Sequence, residues 1–140
     1  MNNISIVILA AGKGTRMDSE IPKVLHILNH KTLIRRVIDT SSKLKPVKTI
    51  VVIGYKKDLI KESLKSCSQL EFATQLEQKG TGHAVKMCFD NLMDFSGDVL
   101  ILSGDVPLIN VKTLEALIRI KQESRAEAAI LTSDMKNPQG

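Results

Sequence analysis

Aromatic side chains are scarce in this sequence, with no Trp, one Tyr (Tyr55) and three Phe among 140 residues. That scarcity counts against single-stranded nucleic-acid binding, which needs rings for bases to stack on. A formal net charge of +5 permits an anionic partner without choosing one. Cysteine is scarce too, with only Cys67 and Cys88. No paired spacing suits a structural metal, and no disulfide framework is available, which fits a reducing compartment. No apolar run approaches the ~20 residues of a membrane span. The apolar segment Ile4–Ala11 has no basic residue ahead of it and is followed at once by Gly12-Lys13-Gly14-Thr15-Arg16. It therefore reads as a buried first strand rather than a secretory signal. Together these absences point to a cytoplasmic protein with neither a membrane nor a nucleic-acid partner.

What is present is ordinary for a globular domain: 43% apolar and 25% charged residues. A domain of this size buries roughly 68% of its unfolded surface, enough for a core. The lysines of two basic stretches, Lys43/Lys45/Lys48 and Lys56/Lys57/Lys61/Lys65, read as solvated faces and loops. Cys88 falls on an apolar helical face and is expected in the core, whereas Cys67 ends a helix and reads as a free thiol.

Apolar runs alternate with helical periodicities along the chain. Strands are predicted at Ile4–Leu9, Thr49–Ile53, Glu71–Gln75, Asp98–Leu102 and Glu127–Thr132. Ile34, Val37, Ile38 and Ser41 repeat at i, i+3, i+4, i+7 and predict a helix over about 32–44, ended by Pro46. Asp58–Ser66 reads as a short polar helix with Ile60 and Leu64 inward. Val85, Cys88, Phe89 and Leu92 mark a helix over about 81–93, and Val111, Leu114, Leu117 and Ile118 mark another. This β-α-β-α order implies an α/β fold: a Rossmann-like three-layer α/β/α arrangement around a mostly parallel sheet. The strands read as continuous runs, as expected when both faces are covered. The turn signal Asn137-Pro138-Gln139-Gly140 directly after the last predicted strand reads as a fragment or shortened version of a longer enzyme.

In open α/β sheets ligands bind beyond the carboxyl ends of the strands. Three unusual segments lie there: Ala10–Met17, Gln75–Gly82 and Ser103-Gly104-Asp105. In the first, small residues let the backbone approach a ligand, successive N–H groups can form an anion nest, and Arg16 adds a planar fork suited to phosphate oxygens. Lys23, after Pro22, adds a second cation, and two cations with a nest suit a triphosphate. A Walker A loop is absent. A dinucleotide fingerprint is disfavoured because Met17 occupies its third glycine and the second strand ends Ile53-Gly54-Tyr55-Lys56 without an acidic residue. Blander readings exist for other positions: Gln75 and Gln78 as surface amides, Asp105 as a turn cap, and His26 and His83 as packing residues.

Leu9-Ala10-Ala11-Gly12-Lys13-Gly14-Thr15-Arg16-Met17, followed by Pro22-Lys23-Val24-Leu25-His26, resembles the signature of the sugar nucleotidyltransferases. Gln75-Leu76-Glu77-Gln78-Lys79-Gly80-Thr81-Gly82-His83-Ala84 and Gly104-Asp105-Val106-Pro107-Leu108 narrow the resemblance. They are similar to the uridylyltransferase domains of the bifunctional bacterial enzymes that form UDP-N-acetylglucosamine. The resemblance covers essentially the whole chain and makes residues 1–140 the nucleotide-binding part of such a domain. It implies transfer of a uridylyl group from UTP to N-acetylglucosamine-1-phosphate, with pyrophosphate released. It implies that Leu9, Ala10, Ala11 and Gly12 hold the uridine and its phosphates, and that Arg16 and Lys23 neutralise the triphosphate. Gln75, Gly80 and Thr81 would read the uracil, Asp105 would bind Mg²⁺, and Gly104 would let the ribose and sugar phosphate approach. Arg16, Lys23 and Asp105 would be the catalytic set.

Two departures from the family stand out. Ser103 occupies a nucleoside-side position where some relatives carry Tyr. The family's segment completing the sugar pocket and its second metal ligand, and the β-helix acetyltransferase domain through which it trimerises, have no counterpart in these 140 residues. An exposed apolar sheet face is expected in consequence. Alternatives are a related transferase for another nucleotide or sugar, and a non-catalytic nucleotide-binding module.

Overall fold

The computed structural model describes residues 3–14 and 19–136. Arg16, and the turn signal at 137–140, lie outside the described residues.

The sheet forms around β1 (Ile4–Ala10), whose run of β-branched residues has no polar face to turn outward. It pairs in parallel with β4 (Lys48–Ile53) on one edge and β6 (Asp98–Ser103) on the other; β5 (Leu70–Thr74) extends the β4 side. The order is β5-β4-β1-β6, so the chain reverses its direction of sheet growth beside β1, which is where a crevice opens in such folds. The register brings Ala10, Ile53 and Thr74 level, with Ser103 beside Leu9. The loops that follow therefore leave from one edge.

Even residues of β1 (Ile4, Ile6, Ile8, Ala10) face a layer made by α1 (Leu33–Ser41), α2 (Lys57–Leu64) and α5 (Val111–Glu123). Ile34, Val37, Ile60, Leu64, Leu114 and Ile118 fill it, as their spacing predicted. α1 and α5 are capped by Thr32 and Asn110, whose side chains accept from Arg35 N–H (3.3 Å) and Thr113 N–H (3.0 Å). Val7 and Ala11 face the opposite layer, α3 (Thr81–Lys86) and α4 (Phe89–Leu92), where Ala84 and Cys88 are buried. Burial pushes the Cys88 thiol up to about 11, consistent with an inert core residue. A two-strand ribbon, β2 (Ile27–Leu28) with β3 (Lys31–Thr32), was not read from the sequence; two-residue strands carry too little periodicity to detect.

Three expectations need correction. The helix predicted over 81–93 is two helices: Cys88 N–H bonds the Val85 carbonyl three residues back at 3.0 Å, tightening the turn. The phase is lost there, and Phe89, expected inward, is 69% exposed. Glu127–Thr132 forms no strand. It pairs with no strand among the described residues, and Ile130 is exposed. A β-rich run becomes a strand only beside a partner's N–H and C=O groups. Finally, β6 is covered on one face only. Leu100 and Leu102 are buried, but Val99 and Ile101 are exposed, because the α3–α4 layer packs on β1, β4 and β5 and does not reach this edge strand. No helix among the described residues is long and apolar enough to cross a membrane.

Gly54, just past β4, sits where two ligand-side loops close on each other. A Cβ there would lie 2.6 Å from the Gln75 carbonyl oxygen and 3.1 Å from that of Ala11. The nearest obstacle is backbone, and the Ala11 Cβ also stands at 3.1 Å, so the loops themselves must part. Gly54→Ala is expected to cost about 1–3 kcal/mol, lowering the thermal midpoint by roughly 3–10 °C. A midpoint equal to that of the unmodified protein would mean the loops separate freely.

Candidate nucleotide-binding cleft

The loops after β1, β5 and β6 enclose a cleft of about 440 Å³. Leu9, Ala10, Ala11 and Gly12 form its floor, Gln75, Gly80 and Thr81 one wall, and Lys23, Ser103 and Asp105 the other. Ten of the residues singled out from the sequence thus converge. Gly104 stands behind the lining rather than in it. Its N–H bonds the Leu9 carbonyl at 2.9 Å, and a Cβ there would meet that oxygen at 3.0 Å and the Val24 side chain at 3.1 Å. The residue keeps β6 tight against β1 so that Asp105 reaches the cleft. Gly14, Val24, Gln78 and Ala84 also line it. They lie inside the sequence motifs; Gly14 is one of the small residues of the first loop, Gln78 reads from sequence as a surface amide, and nothing in the residue type of Val24 or Ala84 marks lining.

The wall after β5 is held by side-chain amides. Gln75, 4% exposed, directs its Nε2 to the Gly80 carbonyl at 3.1 Å and to His83 Nδ1 at 2.9 Å. Gln78 Nε2 donates to the Ala11 carbonyl at 2.6 Å and straps this loop to the one after β1. Neither glutamine is a free surface amide. His83, expected as a packing residue, contacts the cleft wall through Gln75. His26 lies outside the lining, and its buried Nε2 has no partner among the described residues.

The opposite wall is electrostatic. Lys23 follows buried Pro22 in a 3₁₀ turn, Lys23–Leu25, and its Nζ lies 2.6 Å from Asp105 Oδ2. Ser103 Oγ donates to Asp105 Oδ1 at 2.6 Å. Burial opposes ionisation of Asp105 and is the largest single influence on it. The hydrogen bonds from Lys23 and Ser103 and the Lys23 charge outweigh it together, so the carboxyl sits below its ordinary value. Asp105 is thus engaged by a cation rather than capping the turn that follows.

A parallel sheet with its switch point beside β1, and a cleft there combining a glycine-rich floor, a fixed amide wall and a cation–carboxylate wall, defines the nucleotidyltransferase class. The sequence matches the MobA-like NTP transferase domain over residues 6–139, and the chain belongs to that family. It is 46% identical over 137 residues to the bifunctional protein GlmU of Acaryochloris marina, a match covering 98% of this chain and 30% of that protein. The chain thus spans under a third of the length of the curated relatives it matches. Among solved structures, a UDP-glucose pyrophosphorylase complexed with UDP-glucose superposes with a TM-score of 0.69 at 20% identity, over 89% of this chain and 55% of that one. Rv0371C of Mycobacterium tuberculosis, in complex with manganese, gives 0.71 at 16% identity, over 87% and 61%. These likenesses establish the fold.

Because folding lowers the proton affinity of Asp105, its stabilising contribution is complete above the ordinary aspartate range. It is lost as pH falls through the lower folded-state value. By carboxyl-detected NMR, Asp105 is expected to titrate below 3.8, the usual aspartate value. Lys23→Met should move that midpoint upward. A midpoint indifferent to Lys23→Met would mean that the pair does not exist in solution.

Proposed function

We propose that this chain is the nucleotide-binding part of a uridylyltransferase that joins UTP to N-acetylglucosamine-1-phosphate and releases pyrophosphate. The observation that carries the reading is the pairing of two unlike walls across one cleft. One is an amide fixed at Gln75 for the base, the other a cation–carboxylate pair at Lys23 and Asp105 for the phosphates. The naming of its relatives as bifunctional GlmU proteins supports the choice of UTP and amino-sugar phosphate. So does the UDP-glucose held by a neighbour in fold. Two free cysteines accord with a cytoplasmic setting.

In this reading Leu9, Ala10, Ala11 and Gly12 hold the uridine and its phosphates against the open backbone of the floor. Gly12 has nothing within 4 Å of where a Cβ would stand, so a phosphate can come close. Gln75, Gly80 and Thr81 face the uracil, since an amide and nearby backbone groups can pair with an imide edge. Ser103 and Gly104 border the ribose and sugar phosphate. The attacking group is a phosphate oxygen of the sugar phosphate, already anionic, so no general base is needed. It displaces pyrophosphate at the α-phosphorus, and the protein's task is positioning and charge neutralisation. Lys23 supplies part of that neutralisation, and Arg16 would supply more.

The residues fit a divalent cation of the Mg²⁺ kind. Asp105 offers an ionised hard-oxygen donor with the Ser103 hydroxyl beside it. Among the described residues no cluster of three or more ligating side chains exists. The remaining ligands would then come from phosphates and water, as is usual for Mg²⁺. When bound, such a cation would offset phosphate charge and orient the triphosphate. Asp105 serves it only once Lys23 has moved to the phosphates, so nucleotide and cation are expected to bind together.

Two measurements test the reading. Thermal shift with Mg²⁺ and UTP, CTP, ATP, GTP, dTTP or NAD should give selective stabilisation by UTP. At 100 times its Kd a ligand adds about 2.7 kcal/mol, a rise on the order of 8 °C; a shift with NAD alone would overturn the assignment. Lys23→Ala should weaken UTP about 10- to 100-fold, the worth of one charge-assisted contact. Undiminished affinity would remove Lys23 from phosphate binding.

A further inference from the structure

His83 touches the cleft wall without lining the cleft, and the one polar contact its ring makes among the described residues has a defined direction. The Gly80 carbonyl can only accept a hydrogen bond, so the Gln75 amide end beside it at 3.1 Å must be the NH₂. The same nitrogen lies 2.9 Å from His83 Nδ1. His83 therefore accepts there, which makes it the neutral ring with its proton on Nε2. Two acceptors share the two N–H bonds of one amide nitrogen. No donor among the described residues reaches the Gln75 oxygen, and that oxygen is not among the buried side-chain atoms lacking a partner. With Gln75 lining the cleft, its oxygen is the amide atom left for a ligand.

We propose that His83 is a positioning residue for base selection: with the Gly80 carbonyl it locks the Gln75 amide so that only its oxygen meets the base. An acceptor held at that point favours a base whose facing ring nitrogen carries a hydrogen, the imide N–H of uracil. It opposes cytosine, whose corresponding nitrogen is a bare acceptor. Turning the amide over to suit cytosine would set its oxygen against the Gly80 carbonyl and force His83 to move its proton to Nδ1. Reversing the buried Gln75 amide would give up its hydrogen bonds to the Gly80 carbonyl and to His83 for the one gained with cytosine. Selectivity on this account comes from the orientation of a dipole and needs no clash with the wrong base. The inference rests on the reading of the cleft as a UTP site.

Isothermal titration with Mg²⁺ measures Kd for UTP and CTP in the unmodified protein, in His83→Leu and in His83→Asn. Selectivity for UTP in the unmodified protein sustains the site reading; its absence defeats that reading, and this inference with it. Given that selectivity, His83→Leu is expected to reduce the CTP/UTP ratio of Kd about fivefold, the worth of one neutral hydrogen bond. His83→Asn should restore most of it, because Asn Oδ1 can accept at the Nδ1 position. An unchanged ratio in His83→Leu, or equal losses for both nucleotides in both variants, would overturn the positioning role while leaving the UTP site intact. The ring tautomer gives a readout free of any folding defect. ¹⁵N shifts of His83 in the unmodified protein should report a proton on Nε2, and a proton on Nδ1 would refute the lock.

Discussion

The burial of β1 on both faces and its pairing on both edges is the constraint from which the rest of the structure follows. Ile4, Ile6 and Ile8 pack under α1, α2 and α5, while Val7 and Ala11 pack under the α3–α4 layer. With β4 and β6 in parallel register on either side, the strand cannot slip by one residue without exchanging its two faces. That register is what aligns Ala11, Gly54, Gln75 and Gly104 at one edge. The cleft is therefore set by the same packing that stabilises the domain, and close backbone approaches at Gly54 and Gly104 keep the loops there in contact.

The cleft's two walls use polar groups in opposite ways. At Lys23 and Asp105 the partners are held by charge and are partly exposed. Such a pair contributes little to stability where solvent screens it, but it keeps an ionised carboxylate and a cation ready within one site. At Gln75 the side chain is buried, and its amide nitrogen lies between the Gly80 carbonyl and His83 Nδ1. One wall is a partly exposed ion pair and the other a hydrogen-bonded amide. A flexible, highly charged phosphate tail and a planar base with a defined hydrogen-bond edge call for that division.

The open face of β6 sets this sheet apart from a fully covered one. Val99 and Ile101 project into a groove that Ile130 and Leu131 border from the segment after α5. Apolar sheet surface is exposed along this edge. From local sequence alone, by contrast, Asp98–Leu102 looks like a strand buried on both sides. Local pattern records how apolar a strand is; which faces are covered depends on where the sheet ends.

Much of the fold was legible because its signals are local and strong. The apolar run of β1, the spacing of Ile34, Val37 and Ile38, and that of Leu114 and Ile118 each dictate an element whatever lies around them, since hydrophobic periodicity fixes which face can be buried. The members of the cleft were legible through three motifs, and the rule that parallel strands present their carboxyl ends together. Other features were decided only by tertiary structure. Glu127–Thr132 has strand composition but, among the described residues, no neighbour to complete its hydrogen bonds. Phe89 has helical spacing but loses its phase at a tightened turn. The Lys23–Asp105 pair joins residues 82 positions apart. The direction of the Gln75 amide depends on a carbonyl and a ring nitrogen that only the folded loop brings within reach. Residue type and spacing determine what each segment can do alone. Contacts between distant segments, and the orientation of each polar group, exist only when the whole chain has closed.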